Sequence, residues 1–137
     1  MRTFGKFTVN TSAVQKNIVR AMAQNRQKAV RTMTDVGHFL RGEIQDRTPV
    51  KEGFLTAEIL FAVRENQQSV STAMYVPSNA QSKDYAISMH ESFYLLGPGS
   101  LEKQRKVNVT VGRKFITRGI DENRSTILDL IADGMKH

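Results

Sequence analysis

Between Ser12 and Asp46 the apolar side chains recur three, four or seven residues apart: Val14, Ile18, Met22, Ala29, Met33, Val36, Leu40 and Ile44. This spacing gathers them on one side of an α-helix and leaves Lys16, Arg20, Arg26, Lys28, Arg31 and Arg41 to the other faces. The stripe constrains the fold more than any other feature, because about 35 residues at 1.5 Å each make a rod of roughly 50 Å. A chain of 137 residues folds into something narrower than that. Either the helix breaks, near Gly37 or Gly42, or part of it projects toward a neighbour. Asn10, Thr11 and Ser12 mark its start, since their side-chain oxygens suit the free amides of a first turn. A short apolar-polar stretch, Phe4 to Val9, precedes them.

Thr48-Pro49 stops the helix, because proline disfavours the α region in the residue before it, and Gly53 marks a second turn. From Leu55 the period changes to two. Ile59, Phe61 and Val63 alternate with Glu58, Leu60 and Ala62; beyond Glu65 to Gln68, Val70, Thr72, Met74 and Val76 alternate with Ser71, Ala73 and Tyr75. The pattern predicts an antiparallel hairpin. Pro77 ends it, Ser78 to Asp84 reads as a surface loop, and the alternation of Tyr85, Ile87 and Met89 predicts a third strand. Gly97-Pro98-Gly99 is a turn, and Leu101 to Lys106 is helical by propensity without a clear apolar face. Phe115, Ile116, Ile120, Ile127, Leu130 and Ile131 predict a last helix from about Gly112 to Gly134. The expected class is α+β: a long N-terminal helix and a C-terminal helix packed on a small antiparallel β-sheet. The chain reads as one domain, 1–137, in which 1–47 is the long-helix part with the reach to meet a neighbouring subunit.

Chemistry is sparse. With no cysteine there is no thiolate nucleophile, disulfide or cysteine-ligated zinc. His38, His90 and His137 are too scattered for a ligand set, so no metal is expected. His90-Glu91 reads as a polar pair at a strand end, its two side chains pointing to opposite faces. No G-x-S-x-G elbow or phosphate-cradling glycine loop is present. No catalytic residue and no cofactor are therefore expected, and the chain reads as a non-enzyme. No apolar window suits a membrane span or a secretory leader. The net charge of +7 is uneven: residues 1–47 are strongly basic, 48–100 slightly acidic and 101–137 basic again. Such a layout fits charge complementarity between copies or partners, or contact with nucleic acid. A small basic nucleic-acid-binding protein is accordingly the alternative reading, although the basic helix lacks aromatic residues on which bases could stack. A hydrolase or nuclease ranks third, for want of a carboxylate, histidine or metal constellation.

Three segments carry a resemblance. Thr48-Pro49-Val50-Lys51-Glu52-Gly53-Phe54-Leu55 resembles the T-P-V-D-T-G-x-L segment that follows the first helix in neck proteins of tailed bacteriophages. These form the head-tail connection or tail-completion family, also called minor capsid proteins. Tyr85-Ala86 with Met89-His90-Glu91 is similar to that family's Y-A-x-x-x-H-E strand end, followed by the turn Leu96 to Ser100. Val111-Gly112-Arg113-Lys114-Phe115-Ile116 with Arg118 is similar to its x-G-x-K-F-L-x-R-A entry to the last helix. Two departures stand out: Lys51-Glu52 replaces an acidic-hydroxyl pair, and Gly119 replaces a common alanine at a cost of about 1 kcal/mol in helix propensity. The resemblance implies a non-enzymatic virion protein of the neck or tail, assembled in the host cytoplasm. It implies a homo-oligomeric ring, hexameric or dodecameric, between the portal-side head connector and the tail proteins. DNA in transit would touch such a ring weakly and without sequence preference. Thr48, Pro49, Val50, Gly53, Leu55, Tyr85, His90, Glu91, Lys114, Phe115 and Arg118 are the positions that the resemblance marks for subunit or neck contacts.

Overall fold

The structure, a computed structural model, describes residues 12–50, 54–81 and 83–136. The expected cap residues Asn10 and Thr11, the Phe4 to Val9 stretch, the turn residue Gly53 and His137 lie outside the described residues. Helix α1 runs unbroken over Ser12–Arg47. After it come α2 (Phe54–Ala57), strands β1 (Leu60–Glu65) and β2 (Val70–Tyr75), and helices α3 (Lys83–Glu91), α4 (Pro98–Val107), α5 (Phe115–Asp121) and α6 (Arg124–Met135). The fold is α+β, and its described strands form a two-stranded antiparallel sheet.

The long helix is the spine on which the rest is laid. From Met33 to Ile44 its stripe behaves as its spacing predicts: Val36, Leu40 and Ile44 are buried in one core with Leu55, Ile59, Ala86 and Phe115, and Met33 packs against them. The hairpin lies along one flank. Phe61 pairs with Met74 and Val63 with Thr72 on the face toward α1, where the Thr72 hydroxyl donates to the Met33 carbonyl at 2.6 Å. Arg41 donates to the Ile59 carbonyl at 2.7 Å, and at the hairpin turn Arg26 meets Glu65 at 3.3 Å. Helices α5 and α6 run antiparallel to α1 on a second flank, Gly119 lying against Ile44 and Gly134 against Thr32. A two-stranded hairpin is marginal alone, so its packing on α1 is what keeps it folded.

Neither suspected glycine breaks the helix. Gly37 is where the Phe61 ring rests on the helix backbone, a place that any Cβ would occupy. Apolar burial there outweighs the helix-propensity penalty of about 1 kcal/mol. Gly119 is likewise a packing position and not a defect in its helix, since an added Cβ would sit 2.6 Å from Ile44 Cγ1.

Three expectations are corrected. The predicted third strand is helix α3: Tyr85, Ala86 and Met89 turn toward the core while Ile87, which alternation would bury, is 61% exposed. A window of nine residues satisfies both periods, and the helical one wins. The strand expected from Leu55 begins only at Leu60, because Leu55 and Ile59, four apart, are both buried by the single turn of α2. The last helix is two, separated at Glu122-Asn123, where the Asn123 side chain donates to the Gly119 carbonyl at 2.7 Å. Asparagine competes for backbone groups in this way and so interrupts helices. Among the described residues no helix is long and apolar enough to cross a membrane.

Candidate functional site

The C-terminal end of α1 leaves its last carbonyls without helical partners, and α4 is built to meet them. Lys103 donates from Nζ to the Thr48 carbonyl at 2.6 Å and to the Gln45 carbonyl. Ser100 Oγ accepts from the Val50 amide at 2.9 Å, and Gln104 Oε1 accepts from the Val111 amide at 2.9 Å. This accounts for the missing apolar face of α4, which docks through polar groups. Burial lowers the Lys103 ammonium below its ordinary value, partly offset by Asp46. The Arg47 carbonyl accepts from the Gly112 amide at 2.9 Å. Gly112 has φ +131°, a conformation open to glycine and strained for other residues. Arg118 then pins the same loop, donating to the carbonyls of Thr110 at 2.8 Å, Gly112 at 3.3 Å and Arg113 at 2.8 Å.

The loop leads directly into a second cluster. Lys114 takes the left-handed conformation, φ 59°, which sends its amide to the His90 carbonyl at 2.8 Å. Its ammonium reaches both Glu91 oxygens, at 2.6 and 2.9 Å. His90 Nδ1 lies 2.6 Å from Glu91 Oε2, so the pair expected on opposite faces of a strand shares a hydrogen bond at the end of a helix. The imidazole stands edge-on to the Phe115 ring at 5.1 Å, and its buried Nε2 has no hydrogen-bond partner among the described residues. Beside it lies an open, mostly apolar groove of about 480 Å³ lined by Val76, Ala86, Ile87, His90, Phe115 and Ile116.

The positions singled out in the sequence divide accordingly. Thr48, Pro49, Leu55 and Phe115 are buried within the subunit, Thr48 Oγ1 donating to the Ile44 carbonyl at 2.6 Å. Val50, Tyr85 and Arg118 are half-buried, and burial raises the Tyr85 phenol above its ordinary value. Glu91 is the exposed one; His90 and Lys114 flank it. Gly53 lies outside the described residues. Thr48 to Val50, His90-Glu91 and Gly112 to Arg118 are brought to one junction. Sequence reading missed Arg47, Ser100, Lys103 and Gln104. For Arg47 a signal existed, a basic residue in the last helical turn, but its partner Glu122 lies 75 positions away.

No family model, curated protein or solved structure matches the chain.

What the junction does chemically is hold elements together by matching cations to carbonyls and carboxylates. Among the described residues no group of histidine, aspartate or glutamate is placed to hold a metal ion. The hydrogen bond from Lys114, then that from His90, lowers the Glu91 carboxyl from 4.5 to about 2. Its folded value lies below the unfolded one, so the contribution is complete above about pH 4.5 and is lost as pH falls through about 2. Melting temperature followed from pH 5 to pH 2 should therefore fall less steeply for Glu91→Gln than for the parent chain. Parallel curves for the two would contradict this role for the bridge.

Proposed function

We propose that the chain is a non-enzymatic structural subunit of a tailed-phage neck. It forms a closed ring of identical subunits that joins the portal-side head connector to the tail and leaves a passage for DNA. The observation that supports this reading is that the three family-like segments, far apart in the chain, meet at one junction: Thr48 to Val50, His90-Glu91 and Gly112 to Arg118. They are joined by the Val50–Ser100, Arg47–Gly112 and Glu91–Lys114 contacts. A junction that ties α3, α4 and the start of α5 to the end of the spine suits a subunit that must keep one shape while its neighbours pull on it.

The test is a particle that lacks the chain. Its heads should fill with DNA and fail to join tails, and supplying the chain in trans should restore joining. Infectious particles at the parental titre without the chain would contradict the proposal.

A further inference from the structure

Phe93 to Gly97, between α3 and α4, runs without helix, turn or bend, and the exposure of its first four side chains alternates. Phe93 is 86% exposed and Leu95 97%, whereas Tyr94 and Leu96 are half-buried. A period of two is that of a β-strand, yet no strand is paired with this segment among the described residues. The inward pair fixes it in place. The Tyr94 phenol donates to the Met89 carbonyl at 2.6 Å, and Tyr94 and Leu96 close over Gly112, where a Cβ would stand 3.3 Å from Leu96 Cδ2. Phe93 is held from outside, the Arg113 guanidinium lying 4.0 Å from the centre of its ring. Among the described residues, the backbone amides and carbonyls of Phe93 to Leu96 have no hydrogen-bond partner.

We propose that Phe93 to Leu96 is an edge to which a partner protein adds an extended strand of alternating apolar and acidic residues; this goes beyond the ring reading and does not rest on it. The unpaired amides and carbonyls select an extended backbone as the occupant. A helix has its own backbone groups bonded within it, whereas an added strand presents donors and acceptors along its whole edge. The apolar side chains of that strand cover Phe93 and Leu95, which stand two apart and leave large apolar surface in water. Charge sets the rest of the chemistry. Of the ionic groups beside the edge, Glu91 is bridged by Lys114 and hydrogen-bonded to His90. Arg113 donates from Nε to the Glu91 carbonyl at 3.1 Å and meets no carboxylate among the described residues. The edge therefore carries an uncompensated cation whose Nη groups suit a carboxylate. Tyr94 and Arg113 already hold the segment in place, so little ordering cost remains on binding.

The probe is a capped hexapeptide alternating valine and glutamate, titrated into the isotope-labelled full chain. It should shift the amide resonances of Phe93 to Leu96 and slow their hydrogen exchange, and its lysine counterpart should bind about tenfold or more weakly. Phe93→Ser combined with Leu95→Ser, both at exposed positions, should stay folded by circular dichroism and weaken binding by about tenfold or more. A peptide that leaves those amides unmoved, that binds as well when fully N-methylated, or that binds as well with lysine in place of glutamate overturns the proposal. So does a chain whose Phe93 to Leu96 amides shift with its own concentration, since the edge then belongs to a second copy.

Discussion

Phe115→Ala is expected to destabilise the chain by about 3–5 kcal/mol, the range for removing a large aromatic side chain from a closed core. Phe115 is fully buried, packs in the core with Ile44, Leu55, Ile59 and Ala86, and supports the edge of the His90 ring. It also forms part of the groove wall. Domains of this size are stable by roughly 5–15 kcal/mol, so the loss is a large fraction of the total. Phe115→Leu, which retains most of the volume, should cost less than about 1.5 kcal/mol. Urea unfolding of the two variants checks both figures, and a loss under about 1 kcal/mol for the alanine variant would mean that the core does not close on this ring.

Arg47→Ala should cost about 3 kcal/mol, the lower end of what breaking a buried ion pair costs. The guanidinium is 5% exposed and donates to Glu122 at 2.9 Å, to the Glu43 carboxylate at 3.3 Å and to the Glu43 carbonyl at 2.8 Å. Glu122 is 45% exposed and regains water when the arginine is lost, which is why the upper end is not expected. For the same reason Glu122→Gln should cost under about 1 kcal/mol. Equal losses for the two variants, by the same urea titration, would contradict this asymmetry.

The spine was legible because 3.6-residue periodicity sustained over about ten turns has no competing reading. The hairpin was legible for the same reason at period two, although its first strand begins at Leu60 and not at Leu55. Helix α3 was not, because its nine residues carry apolar positions that suit either period, and only the packing of Ala86 in the core with Phe115 and Ile44 decides. Nor was the docking of α4, since Lys103 and Gln104 meet carbonyls and amides, which nearly every residue has and no sequence pattern marks. The junction was not legible: the Gly112 amide finds the Arg47 carbonyl across 65 positions, and nothing local to either residue announces the other.

The measurement that bears most directly on the proposed ring is the copy number and rotational symmetry of the chain in particles that contain it, by native mass spectrometry and imaging of the same particles. The ring account predicts one closed ring of six or twelve copies at the head-tail junction. A single copy per particle, or an open filament of subunits, would contradict it.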